Sequence, residues 1–273
     1  MLGSVLPFSE EVADRVGEYC EENSTRIPDV LAQHWEDTRV RFSDADKMSS
    51  RLQGAWMIFM AKDRKPKRVL EIGAYSGYSA LAWYEGTKDT QAEIVTLELS
   101  PKMIAASRQT FEKYGVGDRV TLIEGPADQT LKSLTGEFDL ILVDANKDGY
   151  ATYVKTILDQ KLLSPRGIIL CDNVFTRGLS VGADAAPWIN DHVRPYWLSC
   201  GQALNKFNTE LFKDTRVDVL IIPMFDGVTQ IRWKDEASSG CPEPAGPSQG
   251  HSLTSNFQDW AGNHGFGKLV GIQ

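Results

Sequence analysis

RVLEIGAYSGYS, residues 68–79, is the stretch whose reading decides the fold. Val69, Leu70 and Ile72 form a short apolar run of the kind a parallel sheet buries on both faces. Gly73 and Gly77 interrupt it, and the apolar periodicity over residues 79–84 predicts a helix. A strand, a glycine-bearing turn and a helix bring backbone N–H groups to the carboxyl edge of a sheet, where open α/β folds bind nucleotide-like ligands. The spacing is G-x-x-x-G, not the G-x-G-x-x-G of a pyrophosphate loop. Glu71, at the strand end, is awkward beside a phosphate and suits a cation. Glu98 closes the next apolar run, residues 94–97, where it is placed to take both hydroxyls of a ribose. The ligand implied is a positively charged nucleoside without phosphates, which S-adenosyl-L-methionine fits better than NAD or ATP.

Working outward, strands and helices alternate. Strands are expected at residues 94–98, 120–124, 138–144 and 167–172, and helices at 101–114, 127–134 and 149–160, with Pro101 at a helix start that favours proline. That rhythm specifies a parallel sheet with helices on both faces. It ends differently, because residues 217–223 and 228–233 are two strands joined by a tight Phe225-Asp226-Gly227 turn, an antiparallel hairpin at one edge. Ahead of the core, residues 9–23 read as a helix capped by Ser9, with Val12, Val16 and Tyr19 on one face. A second helix follows Pro28, and its His34 reads as a packing or surface residue. Residues 48–61 carry Trp56, Met57, Phe59 and Met60. They read either as a core-facing helix or as a wall over the ligand, with Met48 and Ser49 entering from the preceding loop. Residues from Asp235 onward turn Gly-, Pro- and Ser-rich and cannot build a core, although Phe257, Trp260 and Phe266 leave docking of the end open.

Composition bounds the function. A length of 273 residues with 42% hydrophobic and 24% charged side chains supports one large α/β domain with additions. A formal net charge of -8 argues against nucleic acid as a partner, since phosphate binding needs clustered Lys and Arg. No segment approaches the ~20 apolar residues that span a bilayer, so no membrane partner is expected. The opening MLGSVLPFSEEVADR has neither the basic start nor the long apolar core of a signal peptide. Cys20, Cys171, Cys200 and Cys241 are scattered and read as free thiols, which together predicts a cytoplasmic protein.

The chemistry sits at the ends of the fourth and fifth core strands. FDLILVDANKDGY sets Asp144 where a strand emerges at the carboxyl edge, with Lys147 just beyond, and GIILCDN does the same for Asp172 and Asn173. Two carboxylates and an amide oxygen on neighbouring strand ends suit a hard divalent ion, Mg²⁺ first, with Ca²⁺ or Mn²⁺ as substitutes. Singly, each acid reads better as a helix N-cap and the lysine as a solvated charge; the whole set on adjacent strand ends is what points to a site.

Taken together, EIGAYSGYS, LELS, EGPA, VDANKDGY, CDN and the closing DGVTQIRW resemble the cation-dependent catechol and caffeoyl-CoA O-methyltransferases, over residues 48–233. The resemblance implies a Rossmann-like S-adenosylmethionine-dependent methyltransferase fold, with a seven-stranded, mostly parallel sheet and an antiparallel C-terminal hairpin. Residues 1–60 would form N-terminal helices serving as a cap and oligomer interface, 61–235 the methyltransferase core, and 236–273 a tail. It further implies that Glu71, Gly73, Tyr75 and Ser79 line the methionine end of the cofactor, with Met48 closing over the site. Glu98 would hold the ribose and Ala127 would approach the adenine. Asp144, Asp172 and Asn173 are the implied metal ligands, Asp144 also serving the cofactor. Lys147 is the implied general base, taking a proton from a catechol-like, small-molecule phenolic substrate whose paired oxygens chelate the metal. Relatives are commonly homodimers.

The chain departs from the family pattern at GPADQ, where Asp128 and Gln129 follow Ala127. It departs again after Asn173, where Val174, Phe175 and Thr176 stand in place of an early Trp. The segment 177–205 is long and brings its own Trp188, Tyr196 and Trp197. Those changes bear on the acceptor and leave a larger, polycyclic vicinal diol open. Two other readings stay open: a repurposed fold that binds the cofactor without methyl transfer, and a nicotinamide-dependent oxidoreductase.

Overall fold

The computed structural model describes residues 9–235. The expected tail at 236–273, with Cys241, lies outside the described residues, as do residues 1–8.

Seven strands form one sheet in the order β3-β2-β1-β4-β5-β7-β6. They are β1 (Arg68–Ile72), β2 (Glu93–Glu98), β3 (Val120–Glu124), β4 (Phe138–Val143), β5 (Leu163–Asp172), β6 (Val217–Ile222) and β7 (Val228–Trp233). The first five are parallel to one another, and β7 runs antiparallel to both β5 and β6. The central strands are apolar on both faces because helices cover both: Leu70, Ile72, Ile141 and Val143 pack into one buried cluster, Val69, Leu140, Leu142 and Leu170 into another.

Between the strands run α4 (Tyr78–Gly86), α5 (Pro101–Tyr114), α6 (Ala127–Thr130) and α7 (Tyr150–Asp159). Three helices precede the sheet: α1 (Glu10–Glu22), α2 (Asp29–Arg41) and α3 (Arg51–Arg64). Ser9 caps α1 by accepting from the Val12 N–H. Ser50 and Gln53 cap α3 reciprocally, each side chain bonding the other residue's backbone N–H. Met57, Ile58 and Ala61 of α3 face the core, so the bland reading of that helix holds for its apolar face. His34 is buried, as a packing residue, between Tyr78 and Tyr114.

The structure adds what periodicity did not show. An 18-residue helix, α8 (Arg194–Leu211), fills much of the segment read only as long and aromatic. Its interior Gly201 is required because a Cβ there would lie 2.7 Å from the Leu179 backbone. The fifth strand starts at Leu163, not at 167. Pro165 and Gly167 sit in the strand beside a register shift between Phe138 and Leu140. Helix 127–134 divides into α6 and a 3₁₀ turn. Among the described residues no helix is long and apolar enough to cross a membrane.

The strand order changes direction between β1 and β4, so the connections leaving their carboxyl ends run to opposite faces of the sheet and leave a crevice between them.

Candidate active site

A cleft of about 590 Å³ opens at that crevice. Met48, Gly73, Tyr75, Ser79, Glu98, Ala127, Asp144, Lys147, Asp172 and Asn173 all line it, so ten of the residues singled out in the sequence converge on one cavity. Glu71 does not line it. Its side chain is fully buried, one oxygen accepting from Thr96 Oγ1 at 2.6 Å and the other, Oε2, having no partner. Burial, countered by hydrogen bonding and reinforced by the Asp144 and Glu98 charges, raises this carboxyl to about 7. An orphaned carboxylate oxygen in a fully buried position fits a cationic ligand close by.

The glycine turn explains its own sequence. Gly73 has φ +104°, and a Cβ there would sit 2.0 Å from the Asp144 carbonyl oxygen, so only glycine lets β1 end this close to β4. The Tyr75 N–H donates to Glu98 Oε2 at 2.9 Å, while Leu99 and Ser100 N–H donate to Oε1. Three backbone donors fix the Glu98 carboxylate and still leave lone pairs for other hydroxyls. The Tyr75 hydroxyl is turned to Asp44, and Met48 Sδ lies 3.9 Å from Ser76 Oγ.

At the ends of β4 and β5, Lys147 is the hub. Its Nζ donates to Asp144 Oδ1 at 3.0 Å, to Asn173 Oδ1 at 3.0 Å and to Tyr150 Oη at 2.8 Å. Tyr150, buried and thereby kept a neutral phenol, donates in turn to the Asp172 carbonyl at 2.9 Å. Asp172 is 3% exposed, with Oδ2 accepting from Gln53 Nε2 at 2.8 Å and Oδ1 from the Asn173 N–H at 2.7 Å. Burial and the neighbouring Asp144 charge push its carboxyl well above the usual carboxylate range. The cluster is two carboxylates and one amide oxygen around a single ammonium. Among the described residues no three His, Cys, Asp or Glu side chains group as metal ligands. The donor set nevertheless fits a hard cation, since all three donors are oxygens and a positive charge already bridges two of them.

Gln53 and Tyr150 were not singled out as site residues. Tyr150 ends the VDANKDGY motif, but Gln53 was legible only as half of a Ser-x-x-Gln cap. Its bond to Asp172, 119 positions away, depends on the tertiary fold.

The sheet and its crevice define the class: this is the Rossmann-like fold of S-adenosylmethionine-dependent methyltransferases. The O-methyltransferase family model matches residues 21–234. The chain is 41% identical over 241 residues to O-methyltransferase ankF of Aspergillus thermomutatus, spanning 86% of this chain and 100% of that protein. It is 31% identical to caffeoyl-CoA O-methyltransferase of Pinus taeda, over 77% of this chain and 78% of the plant protein. The SAH-bound crystal structure of the Podospora anserina methyltransferase PaMTH1 is 77% identical, with a TM-score of 0.84 over 86% of this chain and all of that one. The chain belongs to the O-methyltransferase family, which sets the nicotinamide reading aside.

Proposed function

We propose that this O-methyltransferase transfers the methyl group of S-adenosyl-L-methionine to one hydroxyl of a vicinal dihydroxy aromatic, with a divalent cation, Mg²⁺ first, held at Asp144, Asp172 and Asn173. The observation that carries the reading is Lys147 Nζ at 3.0 Å from both Asp144 Oδ1 and Asn173 Oδ1, a base in contact with two of the three oxygens that would hold the ion. Bound there, the ion would supply positive charge that lowers the pKa of a phenolic hydroxyl.

The chain's own residues do the rest. In its neutral amine form Lys147 receives the acceptor's proton at Nζ and becomes the ammonium, and Tyr150 Oη fixes the direction from which that nitrogen approaches. Gln53 and the Asn173 N–H hold the Asp172 carboxylate so that its oxygens keep one orientation. Glu71, with its unpartnered Oε2, supplies negative charge for the cationic end of the methyl donor. Gly73, Tyr75, Ser79 and Met48 shape the space around that end. Glu98 takes the ribose hydroxyls and Ala127 the adenine face. Charge on oxygen and sulfonium cancels as the methyl moves, so walls that keep water out favour the transfer. A homodimer through the N-terminal helices belongs to the same proposal, supported by Val12, Val16 and Tyr19 on the exposed face of α1.

Methyl transfer to a panel of catechols, with Mg²⁺ and again with EDTA, tests the reading. Turnover abolished by EDTA is the expected result. Turnover indifferent to EDTA removes the metal, and no turnover on any vicinal diol removes the acceptor class.

A further inference from the structure

Past Asn173 the cleft continues along a wall that the proposed chemistry leaves unused, with Arg177, Trp197, Tyr196 and Asp46 on it. The chain reaches it through an unusual turn. Thr176 (φ 52°), Arg177 (φ 59°) and Gly178 (φ 90°) are consecutive left-handed residues. Two of them carry side chains, and such backbone persists only where its surroundings enforce it. Here the Thr176 side chain is fully buried, its N–H donates to the Asn173 carbonyl at 3.0 Å, and the Arg177 N–H donates to Asp226 Oδ1 at 2.7 Å.

The enforced turn delivers the Arg177 guanidinium onto the Trp197 ring, 4.5 Å from its centroid. Tyr196 packs edge-on to Trp197 at 5.3 Å. The guanidinium makes no hydrogen bond among the described residues, and its ion partner is Asp46 at 3.8 Å, on the turn before α3. That partner decides what the wall recognises. An anionic acceptor group would meet the Asp46 and Asp226 carboxylates as well as the arginine. With its charge offset by Asp46, Arg177 offers a flat, weakly hydrated plane backed by an indole, which suits stacking by a second aromatic ring.

We infer that Arg177 is a specificity-determining residue that selects extended planar acceptors, with rings fused or conjugated to the dihydroxy ring, over single-ring catechols. This rests on the reading that the reacting diol sits at Asp144, Lys147 and Asn173.

The test compares wild type, Arg177→Ala and Arg177→Lys with catechol, protocatechuate (a single-ring carboxylate) and alizarin (a flat three-ring vicinal diol). KM and kcat are measured for each. Acceptor Kd is measured by calorimetry with S-adenosylhomocysteine and Mg²⁺ present. Loss of one cation–π-type stack predicts about a tenfold rise in KM and Kd for alizarin in Arg177→Ala, with catechol constants and thermal melting unchanged. Arg177→Lys should not restore alizarin, because an ammonium has no plane. Equal effects on alizarin and catechol, rescue by lysine, or a selective loss of protocatechuate would each overturn the inference. If wild type methylates none of the three while Arg177→Ala still weakens alizarin binding, the stacking role survives and the proposed reaction fails. If all three turn over and their ratios ignore Arg177, the stacking role fails alone.

Discussion

Lys147→Met separates a base from a strut. Methionine keeps the length and apolar stem of the lysine and removes only the nitrogen that touches Asp144, Asn173 and Tyr150. Losing a positioned general base costs about 10²–10⁴ in turnover. The metal should respond in the opposite sense. Nζ occupies two of the three oxygens a divalent ion would use, and two unit charges about 4 Å apart in a partly buried site interact by about 4 kcal/mol. Removing that competitor should tighten Mg²⁺ binding by at least about tenfold, or roughly 1.4 kcal/mol. Without metal, the variant leaves Asp144 beside Asp172 with no neutralising partner. A fully buried broken pair costs about 3–5 kcal/mol, and solvent reaches Asp144, so about 2 kcal/mol is expected. The assay is initial-rate methyl transfer to catechol, with Mg²⁺ titrated calorimetrically and thermal melts run with and without the ion. Turnover should collapse while Mg²⁺ affinity and the Mg²⁺-induced rise in melting temperature both increase, and cofactor affinity holds. If turnover, Mg²⁺ affinity and cofactor affinity all fell together, Lys147 would be a scaffold for the site and the base assignment would be refuted.

Gln53→Leu should lower stability by about 2–3 kcal/mol, because it strips a charge-assisted bond from a buried carboxylate and breaks the α3 cap together. An unchanged melting curve would mean the Asp172 contact contributes nothing. His34 gives a pH dependence of known sign. Burial depresses its folded-state pKa from 6.5 to about 4, so its stabilisation is complete above pH 6.5 and is lost as pH falls towards 4. At about pH 5 the loss is about 2 kcal/mol. Glu71, raised to about 7, gives the opposite slope over an overlapping window, losing stability as pH rises from about 4.5. The readout is therefore wild type minus His34→Phe in chemical denaturation at pH 7 and pH 5. A difference that does not change between the two pH values contradicts the buried-neutral assignment.

The parallel core was legible because strands buried on both faces are continuous apolar runs, and β1, β2, β3 and β4 lie within one residue of their expected ends. Helix α8 was not legible: Gly201 in its interior weakens the local case for a helix, and its stability comes from Leu204, Phe207 and Leu211 packing into the core. The start of β5 was missed because Pro165 and Gly167 fall in an irregular stretch between the pairs Phe138–Leu163 and Leu140–Ile168, and the pairing of Leu163 beyond that stretch is a long-range contact.

The sequence alone determined which chemistry-bearing residues stand at strand ends, because a strand's last residue faces the carboxyl edge whatever surrounds it. Glu98, Asp144 and Asp172 were therefore readable as neighbours of one crevice. What only the tertiary structure decided is how each group is satisfied. Glu71 lies fully buried outside the cleft lining with an unpartnered oxygen, Gln53 reaches Asp172 from a helix 119 positions earlier, and the Arg177 guanidinium lies over the Trp197 ring. Those contacts depend on long-range packing and on buried polar groups finding partners in three dimensions, and neither leaves a period in the chain.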